Sequence, residues 1–201
     1  MVSVGGLRNI FTNLLNKRIP EEVKNVKDIE YKINEVAGIL DSENRSIIIN
    51  IERLVAEETK GIYDIRATIT EAKSVHNKLV NAANTLKRLG EDLHAINSGH
   101  LDLEISWPAY QDRGRKHELL GKLSKLKGEL HTFVQMELNP AKKQLADISQ
   151  KIKDLDIREK DKTRLRNILV RRAGEAHDHL STVQTQMLAQ LKNLETRLGG
   201  L

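Results

Sequence analysis

The sequence predicts an all-α fold, an elongated antiparallel bundle of long kinked helices that a short amphipathic helix precedes. Three observations support this prediction. Apolar residues recur at steps of three and four along most of the 201 residues, which is helical periodicity. Aromatic residues make up 3% of the chain, too few for a broad core, and charged residues make up 30%. Only three prolines interrupt the pattern, so long helices with heptad-like seams are expected.

Residues 3–18 are predicted to form the short helix. Its apolar stripe comprises Val4, Leu7, Ile10, Phe11, Leu14 and Leu15, and the cations Arg8, Lys17 and Arg18 lie on its flanks. Short amphipathic helices with basic flanks insert their apolar face at the headgroup boundary of a bilayer. The alternatives, which stay open, are a helix packed on the bundle and a disordered leader.

Residues 20–98 are predicted to form one long helix or two nearly continuous ones. Pro20 suits a first helical turn, where its missing N–H has no cost. Residues 41–44 skip an apolar position and mark the expected kink or break. Gly99 is predicted to end the helix, and residues 99–114, with Trp107–Pro108, to form a connector.

Residues 115–198 are predicted to be helical again. Pro140 lies inside the periodic run, so a kink is expected there and not a stop. Gly174 is predicted to be the turn into a short last helix, 174–198. A helix over 115–172 would be roughly 85 Å long, and it would have to lie antiparallel against its neighbours.

Residues 142–172 carry eleven Lys and Arg side chains against five Asp and Glu. Basic residues near an anionic leaflet gain about 1 kcal/mol each. The alternative is a solvated helix face with ion pairs at i,i+4 spacing, which is what most charge runs are.

Several function classes are excluded or disfavoured. Without cysteine there are no disulfides or thiolate metal sites. The sequence contains none of the common phosphate-binding, hydrolase or zinc-protease motifs, so no enzyme activity, small-molecule substrate or cofactor is expected. His177 and His179 are two residues apart and point to different sides of a helix, so no metal site is expected there. No apolar run reaches the roughly 18–20 residues of a membrane span, and we expect a cytoplasmic, peripheral membrane protein.

Three segments carry a family resemblance: the acidic connector Leu103–Glu104–Ile105–Ser106–Trp107–Pro108–Ala109–Tyr110, the proline segment Leu138–Asn139–Pro140–Ala141, and the basic segment Asp147–Ile148–Ser149–Gln150–Lys151–Ile152–Lys153. Together with residues 3–18 they resemble the N-BAR domains of amphiphysin and endophilin, over roughly 140 residues. Two features depart from that family: a first helix that is about two dozen residues longer, and a last helix that is shorter.

The resemblance implies two domains, an inserting helix over 1–19 and a BAR-like domain over 20–201. It implies a crescent-shaped homodimer that senses or generates curvature of anionic membranes, as in endocytic membrane remodelling. Leu7, Ile10, Phe11, Leu14 and Leu15 would insert. The lipid-binding cations would be Arg8, Lys17, Arg18, Lys151, Lys153, Arg158, Lys160, Lys162, Arg164, Arg166, Arg171 and Arg172, with Lys151 to Arg166 on the distal second helix and the last two at the tip of the arm.

Two other functions stay open at this point. The apolar seams equally fit a coiled-coil scaffold whose partner is another helix. The excess of basic residues also permits an all-helical nucleic-acid-binding protein, although residues 142–172 contain no aromatic side chain for base stacking.

Overall fold

The computed structural model describes Asp28, Tyr31, Ile33 and residues 62–105 and 113–200. The helical elements are α1 (Ile62–Ile105), α2 (Arg113–Phe133), a first π turn (Val134–Leu138), α3 (Asn139–Asp154), α4 (Glu159–Arg166), a second π turn (Asn167–Arg171) and α5 (Arg172–Gly200). We call α1 helix 1, the run 113–154 helix 2 and the run 159–200 helix 3. The all-α prediction is confirmed for these residues. The predicted helix 3–18, the break at 41–44 and Trp107–Pro108 lie outside them.

Gly99 does not end helix 1, which continues through this residue to Ile105, so that prediction is wrong. A Cβ at Gly99 would lie 3.0 Å from Cδ2 of Leu119 on α2. The glycine therefore permits a close approach of two helices and is not a helix stop. Of the residues that were predicted to form the connector, 99–105 and 113–114 are therefore helical.

Gly174 is not a turn either, because it lies inside α5. The chain turns instead between α3 and α4, where Leu155 and Arg158 adopt extended backbone angles (φ −62°, ψ 137° and φ −60°, ψ 142°). Lys151 and Lys153 lie in the last turn of α3, and Glu159 and Asp161 lie in the first turn of α4. The two lysines stabilise the partly negative C-terminal end of α3, and the two carboxylates stabilise the partly positive N-terminal end of α4.

This turn changes the predicted lengths of the last two helices. Helix 2 ends at Asp154 and does not reach residue 172. Helix 3 consists of elements of 8, 5 and 29 residues, so the predicted short last helix is wrong.

Helix 2 passes through Pro140 without stopping, as predicted. Its departure from α geometry is the first π turn, in which the N–H of Asn139 donates to the carbonyl of Val134, five residues back. Two buried residues, Phe133 just before the turn and Leu138 at its end, are also five residues apart. Since a π turn adds one residue to a helical turn, it keeps both side chains on the buried side of the helix.

The described residues divide into two units, and the first contains 87–105, 113–130 and 184–200. Helices 1 and 2 are antiparallel there, since Arg88 pairs with Glu129 at 3.1 Å and Gly99 faces Leu119. Lys127 pairs with Glu195 of α5 at 3.2 Å. The core of this unit is aliphatic: Leu89, Leu93, Ile96, Leu119, Leu123, Leu126, Leu130, Met187, Leu191, Leu194 and Leu198.

The second unit contains Ile33 and residues 62–86 and 131–183. Lys151 of α3 contacts Glu71 of α1, and Lys78 contacts Gln144, so helices 1 and 2 are antiparallel here too. The buried side chains include Ile65, Ile69, Ala72, Val75, Leu79, Ala141, Leu145, Ile148, Ile152, Leu165, Leu169, Ala173 and Leu180. Each large aliphatic residue contributes about 1.5–3 kcal/mol by its burial.

In the described residues, none of the helices combines the length and the apolarity that crossing a bilayer requires.

Candidate functional site

The described part of the predicted lipid-binding set lies in the second unit, but not where the sequence placed it. Only Lys151 and Lys153 lie on helix 2. Arg158 precedes α4, and Lys160, Lys162, Arg164 and Arg166 lie on α4. Arg171 ends the second π turn and Arg172 begins α5, so neither is at a helix tip. The correction follows from the turn at 155–158.

Three of these cations hold the fold together. The ammonium of Lys151 donates to both carboxylate oxygens of Glu71, at 2.5 and 2.7 Å, which joins helix 2 to helix 1. Nε of Arg158 donates to Oδ2 of Asp161 at 2.7 Å, and that carboxylate is buried. Both cations are therefore paired within the chain, although neither pair has the i,i+4 spacing of the ion-pair alternative for the basic run.

Lys162 is the third of these cations. Its side chain is 17% exposed and its ammonium donates to the carbonyl of Lys153 at 2.8 Å. It also pairs with Glu159 at 3.1 Å. The last carbonyls of a helix have no intrahelical donor, so Lys162 caps helix 2 across the turn.

The face shared by helices 1 and 2 in this unit is an acidic groove. Two neighbouring cavities of about 480 and 290 Å³ share Glu71 and Lys151 in their linings. The groove is lined by the carboxylates Asp64, Glu71, Asp147 and Asp154 and by the single cation Lys151, over a floor that includes Val75, Ile148 and Leu155. Four carboxylates against one lysine make this groove the anionic side of a chain whose net charge is +5.

A second set of cations forms what we call the basic surface: Lys142, Lys153, Lys160 and Arg166. All four are exposed, and within the described residues none of their side chains makes a hydrogen bond or an ion pair. Lys142 and Lys153 are each two residues from a residue that lines the acidic groove, Gln144 and Lys151. Two residues correspond to about 200° around a helix, so both lysines point away from the groove.

Arg166 follows Lys162 by one helical turn and therefore lies on the same side of α4. Since Lys162 reaches the end of helix 2, Arg166 lies beside helix 2 as well. Four carboxylates of the second unit thus lie in the groove, and the unpaired cations lie on other sides of helices 2 and 3, where Glu159, Glu175 and Asp178 are also exposed.

The other predicted cations are partly engaged. Nε of Arg171 is 3.8 Å from Glu175 in a pair whose side chains are both about 60% exposed, and an exposed i,i+4 pair contributes about 0.3–0.5 kcal/mol. Arg164 and Arg172 also make polar interactions within the chain. Leu7, Ile10, Phe11, Leu14, Leu15, Arg8, Lys17 and Arg18 lie outside the described residues.

Two parts of this arrangement were missed from the sequence. Lys142 belongs to the basic run but was not assigned to the lipid-binding set. The acidic groove was not predicted because its carboxylates come from segments more than 70 residues apart. The turn at 155–158 did have a signal, since lysines followed by Asp154, Asp156, Glu159 and Asp161 are typical of one helix ending and another beginning.

His76 is the buried histidine that contacts helix 3 in this unit. Its side chain is 1% exposed, and its Nε2 lies 3.4 Å from the carbonyl oxygen of Leu169. Burial lowers the pKa of His76 below its ordinary value of 6.5, and the bond to Leu169 offsets part of that effect. The described residues contain no cluster of three or more His, Asp or Glu side chains that is arranged to bind a metal.

No protein-family model matches the chain, and neither a curated protein nor a solved structure is significantly similar to it.

Proposed function

We propose that this protein binds anionic membranes peripherally through the basic surface of its second unit and senses or generates curvature there. The observation that carries the proposal is a set of four exposed, unpaired cations in that unit that lie outside its acidic groove. The side chains of Lys142, Lys153, Lys160 and Arg166 are exposed and have no partner among the described residues, while four carboxylates of the unit lie in the groove between helices 1 and 2. A negatively charged leaflet could therefore approach the cations without meeting those carboxylates.

The energy of such a contact is modest but sufficient. At about 1 kcal/mol per basic residue, four cations contribute roughly 4 kcal/mol, which is close to a 1000-fold preference for anionic over neutral lipid. Salt screens exposed charges over about 10 Å at 0.1 M. Residues 3–18, if they insert as the sequence predicts, would add an apolar contribution that salt does not weaken.

A coiled-coil scaffold has less support. Large apolar side chains that are exposed in the described residues are Tyr31 and Met136, at 70% and 72%. Two isolated side chains do not form the continuous apolar seam that a partner helix needs. The helices described use their apolar stripes within the chain.

The homodimer and its crescent shape are further parts of the proposal, and they rest on the resemblance to N-BAR domains. Small-angle scattering together with a measured molar mass tests both. A curved dimer well over 100 Å long supports them, and a straight monomer contradicts them.

The membrane part is tested by co-sedimentation of the protein with vesicles that contain increasing fractions of phosphatidylserine in phosphatidylcholine. Binding should rise with the anionic fraction and fall between 50 and 300 mM salt, because the contact is largely electrostatic. Equal binding to neutral vesicles, or none to anionic ones, contradicts the proposal. Salt-sensitive retention of DNA or RNA without lipid binding would favour the nucleic-acid alternative.

A further inference from the structure

The second π turn lies within the basic run, at Asn167–Arg171. Arg164 and Arg166 precede it, and Arg172 follows it. Because each residue of an α-helix advances by about 100°, the extra residue of a π turn changes the direction of every side chain after it relative to those before it. The relative directions of the cations on helix 3 therefore depend on this turn.

Burial explains why the turn is needed. Five buried positions of helix 3 are spaced by four residues: Asp161, Leu165, Leu169, Ala173 and His177. In a regular α-helix each step of four drifts by about 40° around the axis, so four steps drift by about 160°. The extra residue of the π turn reduces this drift by about 100°. The stripe of five buried side chains therefore stays directed at the core.

His76 of α1 contacts the backbone of this turn. Its Nε2 and the carbonyl oxygen of Leu169 are 3.4 Å apart, at the long end for a hydrogen bond, and both residues are fully buried. A carbonyl oxygen only accepts, so Nε2 carries the proton and Nδ1 does not. Nδ1 is buried and has no hydrogen-bond partner. A buried nitrogen without a hydrogen-bond partner destabilises the folded protein. A histidine at this position therefore indicates that the bond from its Nε2 to Leu169 offsets that loss.

We propose that His76 is a positioning residue, which holds the second π turn in place and so sets the direction of Arg172 relative to the cations Arg164 and Arg166 that precede the turn. A regular α turn at 167–171 would rotate the stripe from Ala173 onward away from the core. The bond from His76 gives the carbonyl oxygen of Leu169, inside this turn, a hydrogen-bond partner on another helix. The consequence for membrane binding rests on the proposed function, but the positioning itself does not.

The first test compares His76→Leu, which removes the donor, with His76→Gln, whose amide nitrogen can still donate to Leu169. The chain has no cysteine, so Thr163→Cys and His179→Cys introduce a unique pair of spin labels at exposed positions on either side of the turn. Without lipid, His76→Leu should broaden or shift the distance between the labels and speed amide exchange at 167–171 by at least about tenfold. His76→Gln should resemble the parent. Unchanged distances and exchange in His76→Leu overturn the proposal.

The second test needs no variant and applies if His76→Leu does not fold. Nitrogen NMR of the parent protein at neutral pH should show the His76 ring protonated at Nε2, with a scalar coupling to the carbonyl of Leu169. A ring protonated at Nδ1 alone would contradict the assigned bond. Neither test involves a membrane, so a failure of the proposed function and a failure of this inference are distinguishable.

Discussion

Lys162 and Arg166 are one helical turn apart on α4 and have different roles. Lys162 is 17% exposed and caps the carbonyl of Lys153, whereas Arg166 is exposed and unpaired within the described residues. A difference of this kind depends on what lies across the turn from each side chain. The sequence shows only that both residues are basic.

Two glycines test the corrected helix boundaries at the scale of single residues. Gly174→Ala should stabilise the protein by up to about 1 kcal/mol, because Ala is favoured over Gly inside a helix and a Cβ there meets no other atom within 4 Å. Gly99→Ala should gain less or lose stability, because its Cβ would lie 3.0 Å from Leu119. Urea unfolding measures both. A large loss of stability in Gly174→Ala would contradict a helical Gly174 and would support the turn that the sequence predicted there.

His76 predicts a pH dependence of stability. Burial lowers its pKa in the folded protein, while the unfolded chain takes up a proton near the ordinary value of 6.5. Unfolding therefore takes up protons as the pH falls below about 6.5, so the free energy of unfolding decreases there and is unaffected by His76 above it. The slope cannot exceed about 1.4 kcal/mol per pH unit for one proton.

The measurement is the difference in unfolding free energy between the parent and His76→Gln at pH 7.5 and pH 5.5. The parent should lose more stability than the variant between these values. An equal loss in the two proteins would show that His76 does not take part in the pH dependence.

At the scale of elements, the spacing of the apolar residues predicted the helices that the described residues form, because periodicity reports the face of a helix directly. It failed at two helix ends. Gly99 was read as a stop because its contact with Leu119 is not visible in the sequence. Gly174 was preferred over the true turn because a glycine is a stronger local signal than the alternation of charges from Lys151 to Asp161.

The first π turn leads to a prediction about deletion. Removing exposed Gln135 shortens the step from Phe133 to Leu138 to four residues, which suits an α turn. Pro140 would then lie in a regular α segment and cost about 3 kcal/mol, so the deletion is combined with Pro140→Ala. This variant should keep its melting temperature within a few degrees of the parent.

The matched control deletes Lys143, which is also exposed but lies in regular α3, in the Pro140→Ala background. That deletion rotates the rest of α3 by about 100° and should strongly destabilise the protein. Equal melting temperatures for the two deletions would refute the assigned role of the π turn.

At the scale of the whole molecule, the sequence predicted a local excess of cations but not the acidic groove beside it. The acidic groove needs Asp64 and Glu71 of helix 1 beside Asp147 and Asp154 of helix 2, a pairing that follows from the antiparallel register. That register also pairs Lys151 with Glu71, so Lys151 is not among the unpaired cations. The proposed membrane contact therefore depends on the fold as much as on the basic run.

The predicted inserting helix is tested with Phe11→Glu and Leu14→Glu together. Carboxylates in the apolar stripe oppose insertion, so electron microscopy should show several-fold fewer tubules from anionic vesicles. Asn9→Glu with Asn13→Glu makes the same charge change on the polar flank and should reduce tubule formation less. If both pairs of substitutions reduced tubule formation equally, the proposed insertion of Phe11 and Leu14 would be contradicted.

The central claim is that the basic surface of the second unit binds anionic lipid. Its most direct test is vesicle co-sedimentation of Lys153→Glu with Arg166→Glu, against the equally charged control Lys87→Glu with Lys192→Glu at exposed positions of the first unit. Circular dichroism confirms that both variants fold. At about 1 kcal/mol per cation, the first pair should weaken binding by at least about tenfold and the control by no more than about threefold. Equal losses in the two pairs, or full binding by the first, would contradict the claim.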